Sequence, residues 1–213
     1  FTGGGTGGHV FPGLAVIEAF RATSDAQIVW IGSTTGIERG IVNRFGVRYI
    51  GIPAGKLRRY LSLRNLSDVF RVLAGLLRSV REIRHMKPAA VFSKGGFVSV
   101  PPVIAARLLG VPVLTHESDV VPGLATRINA RFVDRVLVAY DDSVGHFPER
   151  IRRRVVVTGH PVRAEIAAGS SDKGRDIAGF ADAGRPTVFF VGGSQGAAQI
   201  NAIVHAILPE IGA

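Results

Sequence analysis

The glycine-rich segment GGGTGGH at positions 3–9 constrains the fold more than any other part of the sequence, and GGSQGA at 192–197 nearly repeats it. Each segment follows an apolar stretch and precedes a helical pattern. In such a strand–turn–helix unit, glycines let backbone N–H groups approach a phosphate, and the helix N-terminus adds partial positive charge. Two such turns far apart in one chain predict two nucleotide-binding-type domains that face one cleft.

The order of apolar runs predicts an α/β fold with a parallel sheet. β-branched runs alternate with helical patterns, as they do in βαβ units. Strands are predicted at 27–31, 49–52, 90–92, 113–115, 135–138, 155–158 and 187–191. Helices are predicted at 13–22, 36–45, 63–85, 100–109, 123–129, 143–146, 163–168 and 197–207.

These elements predict an uneven domain organisation. We expect a Rossmann-like domain at 1–168 and a linker at 169–185, which is rich in Gly, Ser, Asp and Lys. The first strand, glycine turn and helix of a second Rossmann-like domain are expected at 186–213. Because the sequence starts at Phe1 and its second turn lies near its end, we expect an internal fragment that lacks most of the second domain.

The composition narrows the classes of partner. Of 213 residues, 46% are hydrophobic, which suffices for a large core, and the absence of cysteine excludes disulfides and cysteine-based metal sites. The formal net charge of +10 favours an anionic partner: nucleic acid, a membrane surface or an anionic substrate. Aromatic residues make up only 8%, and no base-stacking motif lies among the arginines, so no nucleic-acid partner is expected.

The first glycine turn has the glycine spacing of a dinucleotide-binding motif but lacks the acidic residue that normally accompanies it. Gly3, Gly5 and Gly8 have the G-x-G-x-x-G spacing, but the acidic residue expected at the end of the next strand is missing, and Glu38 comes later, inside a predicted helix. Binding of a dinucleotide is therefore disfavoured. His9 directly follows the turn, and its imidazole is a candidate base or donor beside a phosphate.

A third turn has the same context, with a strand before it and a helix after it, and contains Lys94, Gly95 and Gly96. A pyrophosphate could lie across the first and third turns, because the carboxyl ends of parallel strands converge there. Lys94 would then either add positive charge or be a solvated loop lysine, and the sequence leaves both open.

Five segments, taken in order, resemble the MurG family of glycosyltransferases, within glycosyltransferase family 28. They are GGTGGHVFPGLA at 4–15, KGGFVS at 94–99, HESD with PGL at 116–124, GHPVR at 159–163 and GGSQGA at 192–197. The resemblance extends over the whole chain. It implies a GT-B fold of two Rossmann-like domains, and inverting transfer that needs no metal and no cofactor.

The resemblance also implies a reaction. The family transfers GlcNAc from UDP-GlcNAc to undecaprenyl-pyrophosphoryl-MurNAc-pentapeptide, which converts lipid I to lipid II in peptidoglycan synthesis. Its N-terminal domain receives the acceptor and its C-terminal domain holds most of the donor, so this chain is expected to be inactive alone. The turns and the resemblance together predict these substrate-binding residues: Thr6, Gly7, Gly8, Lys94, Gly95, Gly96, Arg163, Ser194 and Gln195.

Two other classes remain open. One is another GT-B enzyme, such as a glycolipid synthase or a UDP-sugar epimerase, and the other is a nucleotide-binding module without activity. The HESD and GHPVR segments favour the transferase.

The transfer needs a base for the acceptor hydroxyl. His9 is the first candidate, and Glu117 and Asp119 are its rivals. The family often has HEQN where this chain has HESD, so Asp119 replaces an amide, and a contact from it to the donor is disfavoured. His116 ends an apolar strand and is expected to be structural, whereas Arg163, at a helix start, could hold an anion.

Residues 63–85 have the pattern of a basic amphipathic helix. Its apolar residues, most of which we expect to face the core, are Leu66, Val69, Phe70, Leu73, Leu76, Leu77, Val80 and Ile83. Arg64, Arg71 and Arg78 recur every seven residues and so lie on one stripe. We expect the loop at 56–63 and this stripe to dock the protein on anionic lipid as a peripheral enzyme at the cytoplasmic face of the membrane.

Overall fold

The computed structural model describes residues 1–55, 63–180, 187–193 and 196–211, and strands alternate with helices through the first three quarters of the chain. The strands are β1 (Val29–Ser33), β2 (Arg48–Ile52), β3 (Val91–Ser93), β4 (Val113–Glu117), β5 (Arg135–Val138) and β6 (Val155–Val157). The helices are α1 (Gly7–Arg21), α2 (Glu38–Arg44), α3 (Leu63–Met86), α4 (Val100–Leu108), α5 (Leu124–Asn129), α6 (Glu149–Arg152), α7 (Ala164–Ala167), α8 (Ser171–Ala178) and α9 (Ala198–Ile211). Short 3₁₀ helices cover Phe97–Ser99 and Asp141–His146.

The parallel α/β architecture predicted from the sequence is confirmed. Each predicted strand from 27 to 158 is present, with its ends shifted by at most two residues. All the ladders are parallel. Buried parallel strands are short apolar runs, which is why the sequence pattern finds them.

A short N-terminal segment lies at the centre of the sheet. Thr2 bridges in parallel both Ile31 of β1 and Ser93 of β3, and its N–H donates to the Phe92 carbonyl at 2.9 Å. The resulting order is β2, β1, the Thr2 segment, β3, β4, β5 and β6. The order reverses at the Thr2 segment, so the crevice beyond the carboxyl ends of this segment and β3 is the expected ligand site of such a sheet.

The two faces of β1 separate two parts of the core. Trp30 is fully buried with Val10 and Leu14 of α1, whereas Ile31 packs into the larger cluster that includes Ile83 of α3. Trp30 Nε1 also donates to the Gly3 carbonyl at 3.0 Å. The indole therefore fixes the height of the first glycine turn above the sheet.

Helix α1 begins earlier than the sequence predicts. It starts at Gly7 rather than at 13, so Gly7, Gly8 and His9 form its first turn. Pro12 lies inside the helix, where its missing N–H removes one hydrogen bond. The predicted start was too late because Pro12 and the glycines disfavour helix locally, while burial of Val10 stabilises it through packing.

Helix α3 presents an apolar face to solvent, which corrects the expectation that most of its apolar residues face the core. Ile83 is buried and Leu76 and Val80 pack against the core. Among residues 68–86, whose side chains the structure describes, the large exposed apolar ones are Val69, Phe70, Leu73 and Leu77, and the side chains of Arg64 and Leu66 lie outside this range. Small residues occupy part of the inward face, since Ser79 is fully buried.

The chain divides into two compact units, Phe1–Ala164 and Glu165–Ala213, and the predicted division into acceptor domain, linker and donor domain stays a prediction. Within the second unit the predicted linker contains α8. Ser170 caps this helix by accepting from the Lys173 N–H, and Gly179 ends it with φ +70°.

The strand predicted at 187–191 is wrong, since these residues form no strand in the described parts of the chain. A parallel strand needs neighbours for its backbone groups, and here Phe189 and Val191 are 82% and 69% exposed. Ser194 and Gln195 lie outside the described residues. On either side of them, the Gly196 N–H donates to the Gly193 carbonyl at 3.0 Å.

Candidate functional site

A cavity of about 640 Å³ opens at the carboxyl ends of the strands, where the strand order reverses. Five segments contribute lining residues: 4–9 of the first glycine turn, 33–38 from the end of β1, 54–55 after β2, 96–98 of the third turn, and 117–126 from the end of β4. The turns predicted to hold a pyrophosphate therefore share one cavity. The predicted convergence of these loops is a property of the parallel sheet.

The first and third glycine turns touch each other directly. Gly96 has φ +79°, and a Cβ built on it would lie 2.2 Å from the Gly4 carbonyl oxygen. Only glycine fits there, because a side chain would push the two turns apart. Gly95 and Gly96 therefore have a structural reason for being glycines, and a phosphate contact from their N–H groups stays a prediction.

The N-terminus of α1 faces this region with no side-chain cap from the described residues. Thr6 is its N-cap residue, no side chain caps it, and its first turn carries no acid. Thr6 and Gly8 are exposed. The partial positive charge of the helix end is thus available to an external anion, and a substrate contact from Thr6, Gly7 or Gly8 stays a prediction.

A buried carboxylate that sequence reasoning did not assign to the site holds the first turn in place. Glu38 is fully buried, and its Oε1 accepts from the Ser33 N–H at 2.8 Å while its Oε2 accepts from the Gly5 N–H at 3.3 Å. Its carboxylate thus lies at the end of β1, where a dinucleotide-binding fold has its ribose-binding acid. Both oxygens of Glu38 are engaged with backbone, which fits a role in shaping the turn.

His9 is held with a defined tautomer. Its Nδ1 lies 3.1 Å from the Lys94 carbonyl oxygen. Because a carbonyl only accepts, Nδ1 carries the proton and Nε2 keeps its lone pair. Burial lowers the pKa of His9 below the ordinary 6.5, and the Lys94 charge lowers it further, against the opposing charges of Glu117 and Asp119. Near neutral pH the ring is therefore an uncharged imidazole that lines the cavity.

Lys94 lies beneath the cavity. It is 1% exposed, and its Nζ donates to Ser118 Oγ at 2.8 Å. The alternative of a solvated loop lysine is therefore wrong. Because its side chain is not among the cavity-lining groups, the structure favours an action of Lys94 through its neighbours over direct contact with a substrate.

Glu117 organises the loop after β4. Its Oε1 accepts from the N–H groups of Ser118 and Asp119 at 2.9 and 3.1 Å, and its Oε2 accepts from the Gly123 N–H at 3.1 Å. Burial alone would raise the pKa of Glu117, but hydrogen bonds from Thr126 and from these amides lower it below the ordinary 4.5. A carboxylate stabilised in this way is a poor base, so the structure favours a positioning role for Glu117.

Asp119 is exposed and lines the cavity.

His116 behaves as the structural residue predicted from its strand position. It is 2% exposed, its Nε2 lies 3.0 Å from the Gly159 carbonyl, and burial followed by the Lys94 charge lowers its pKa to about 4. The neighbouring His160 was not singled out by sequence reasoning. Its Nδ1 lies 2.9 Å from Ser118 Oγ, which joins the GHPVR segment to the HESD loop.

Arg163 lies beside α1, and it is not among the residues that line the 640 Å³ cavity. Its guanidinium carbon is 5.2 Å from the centre of the Phe11 ring. Both residues line a smaller cavity of about 300 Å³ together with Arg44. An anion held by Arg163 stays a prediction, and the site would lie over the outer side of the first turns of α1. No group of three potential metal-ligating side chains is present within the described ranges.

Comparisons with known proteins identify the family of the chain. Residues 1–138 match the glycosyltransferase family 28 N-terminal domain. One relative is a UDP-N-acetylglucosamine–N-acetylmuramyl-(pentapeptide) pyrophosphoryl-undecaprenol N-acetylglucosamine transferase from Treponema denticola, which is 49% identical over 212 residues. The alignment covers 96% of this chain and 54% of that protein. A similarly named protein, numbered 2, from Bacillus cereus is 44% identical over 211 residues, covering 99% of the chain and 58% of that protein. The chain thus spans about half the length of the curated relatives it matches.

Solved structures give the same relationship. The crystal structure of MurG from Acinetobacter baumannii has a TM-score of 0.62 and 30% identity, and covers 78% of this chain and 46% of that one. A UDP complex of S. aureus MnaA has a TM-score of 0.57 at 12% identity, and the match covers 81% of this chain and 46% of that one. This likeness supports the fold alone.

Replacing Glu38 with glutamine tests its part in the turn. The amide offers one acceptor oxygen, so either the Ser33 or the Gly5 N–H loses its partner. We expect the free energy of unfolding to fall by about 1–3 kcal/mol in urea denaturation. The exposed Glu149→Gln change is the matched control, with an effect within about 0.5 kcal/mol. Equal stability of the two variants would contradict the assignment.

Proposed function

Because the chain belongs to glycosyltransferase family 28, we propose that it provides the acceptor-binding and base-carrying half of an inverting GlcNAc transferase. The donor is UDP-GlcNAc and the acceptor is undecaprenyl-pyrophosphoryl-MurNAc-pentapeptide, as the names of the relatives suggest. A second, donor-binding domain completes the enzyme. The observation that supports this most directly is His9, an uncharged imidazole with a free Nε2 at the wall of the cavity.

In this proposal the two glycine turns receive the diphosphate of the lipid-linked acceptor. The uncapped N-terminus of α1 supplies N–H donors and partial positive charge, and Gly95 and Gly96 bring a second stretch of backbone to the same cavity. Donor contacts at Thr6, Gly7, Gly8, Arg163 and Ser194, and a substrate contact at Gln195, belong to the same proposal. Arg163 lies against Phe11 of α1 and outside the 640 Å³ cavity, so its contact would lie at the outer side of the first turns of that helix.

The chemical step is a single displacement. The acceptor C4 hydroxyl oxygen attacks the anomeric carbon of GlcNAc, and its proton moves to His9 Nε2. The bond between the anomeric carbon and the β-phosphate oxygen breaks, and its electron pair leaves with UDP. Lys94 and Glu117 fix the ring and the loop around this atom, and Asp119 is the remaining candidate base at the cavity.

The reaction is tested with radiolabelled UDP-GlcNAc and a lipid I analogue, in the full-length protein that contains this chain. We expect labelled lipid II to form, both with and without EDTA. Release of free GlcNAc, epimerised UDP-sugar, or label on a different lipid would overturn the proposed acceptor. Dependence on an added divalent ion would overturn metal-independent transfer.

Substitution of His9 tests the base. Without a proton acceptor at this position, His9→Ala is expected to lower kcat by about 10²–10⁴-fold while the Kd for UDP-GlcNAc stays within about twofold. His146→Ala, at an exposed histidine outside the cavity, is the matched control. Equal losses in turnover and donor affinity would show that His9 binds substrate instead.

The pH dependence of the same enzyme gives a second measurement. The base works only when unprotonated, and burial lowers the pKa of His9 below 6.5. The kcat should therefore stay constant as the pH falls to 6.5 and decrease below that pH. A midpoint above 6.5 would contradict His9 as the titrating group.

The exposed face of α3 is proposed to dock on an anionic membrane surface at the cytoplasmic side. Phe70, Leu73 and Leu77 are 64%, 50% and 73% exposed and lie along one side of the helix. The side chains of Arg71 and Arg78 are 63% and 54% exposed beside them. Apolar groups flanked by arginines match a bilayer interface with acidic headgroups. No helix in the described ranges is long and apolar enough to cross a membrane.

The basic loop at 56–63 extends this surface in the sequence, but residues 56–62 lie outside the described ranges. The start of α3 is close to the cavity. Gly55 lines the cavity, and a Cβ on it would lie 2.4 Å from the Asp68 carbonyl oxygen, two residues before Phe70. The helix end that carries Phe70 therefore lies next to a residue that lines the cavity, with its exposed face turned away from that residue.

Vesicle sedimentation tests the docking surface. We expect the double change Phe70→Ser with Leu77→Ser to lower the partition coefficient at least about tenfold, since each buried side chain contributes about 1.5 kcal/mol or more. The control is Phe20→Ser on α1, a helix that packs against α2. Binding that is equal in neutral and anionic vesicles, or that is lost equally in the control, would contradict this surface.

A further inference from the structure

Lys94 is a buried cation whose ammonium contacts a neutral group. It is 1% exposed, and its Nζ donates to Ser118 Oγ at 2.8 Å. An ammonium only donates, so the Ser118 oxygen accepts from it, and the same oxygen lies 2.9 Å from His160 Nδ1. A chain of hydrogen bonds thus runs from the end of β3 through the loop after β4 to the segment after β6.

The backbone of the same residue is equally fixed. The Lys94 N–H donates to the Thr2 carbonyl at 2.8 Å in the middle of the sheet. Its carbonyl accepts from His9 Nδ1 at 3.1 Å. The residue whose carbonyl fixes the tautomer of His9 therefore also carries a buried positive charge.

The charges around His9 come from three elements. Lys94 lies at the end of β3, whereas Glu117 and Asp119 lie at the end of β4 and in the loop that follows. Both carboxylates favour a protonated imidazole, and Glu117 is already bound to three backbone N–H groups. Lys94 is the cation that opposes them, and burial prevents water from screening it.

Three imidazoles share this environment. Burial lowers the pKa of His9, His116 and His160, and the positive charge of Lys94 lowers each of them further. Burial also lowers the pKa of Lys94 itself to about 8, although Glu117 and Asp119 oppose this.

We propose that Lys94 is a positioning residue whose carbonyl orients the His9 ring and whose buried positive charge adds to burial in favouring the unprotonated ring, and that Ser118 connects this lysine to His160. The inference rests on the proposed function only for the use made of His9 as a base. The charge effect itself is a property of the chain and needs no substrate.

The test follows the imidazole ¹⁵N shifts of the chain against pH in three proteins. In Lys94→Met, which keeps the length of the side chain but removes its charge, the midpoints of His9 and His160 should both move to higher pH. In Ser118→Ala, which keeps the charge but removes the hydrogen bond, only the midpoint of His160 should move. Signals are assigned with His9→Ala and His160→Ala.

Two results would overturn the proposal. One is an unchanged His9 midpoint in Lys94→Met, and the other is a His9 shift in Ser118→Ala as large as that in Lys94→Met. If Lys94→Met does not fold, the unmodified chain provides the test through its lysine ¹³Cε shifts. A Lys94 midpoint near 8 supports the buried cation, and a midpoint at the ordinary 10.5 overturns it.

A kinetic measurement separates this proposal from the transferase assignment. In the full-length enzyme, Lys94→Met should move the acidic limb of kcat to higher pH with little change in KM. Absence of transfer by the unsubstituted enzyme would refute the proposed function and leave the NMR result intact. Transfer with an unmoved acidic limb would refute the role of Lys94 and leave the function intact.

Discussion

The close approach of two glycine turns is the constraint on which the site depends. Gly96 leaves room for the Gly4 carbonyl at a distance that no side chain would permit. This approach puts the Lys94 carbonyl within hydrogen-bond distance of His9, although the two residues are 85 positions apart in the sequence. Separating the turns would therefore release the imidazole, uncover the buried lysine and move the N-terminus of α1 away from the cavity.

The parts of the fold that depend on local pattern were predictable. The six central strands follow from short apolar runs, and the meeting of the first and third turns follows from the rule that parallel strands end at one edge. His9 was identified because it directly follows a glycine turn. The start of α1 was placed too late, because the packing of Val10 against Trp30 decides it and local propensity does not.

The parts that depend on distant partners were not predictable. Glu38 is an ordinary helical glutamate in the sequence, and only the fold brings it to the N–H of Gly5, 33 positions away. The sequence around Lys94 does not reveal whether its ammonium is hydrated or buried against a serine. On α3, the apolar spacing is correct for a helix, but it does not say which of two apolar sides the sheet covers.

The position of α3 beside the cavity has a consequence for how substrate is found. A lipid-linked acceptor is confined to the bilayer, and an enzyme docked through Phe70 and Leu77 would be confined to the same plane. Encounter would then be a search in two dimensions at a fixed height, with the glycine turns held near the level of the headgroup diphosphates. The number of acceptors per unit of membrane area, rather than their bulk concentration, would set the rate of encounter.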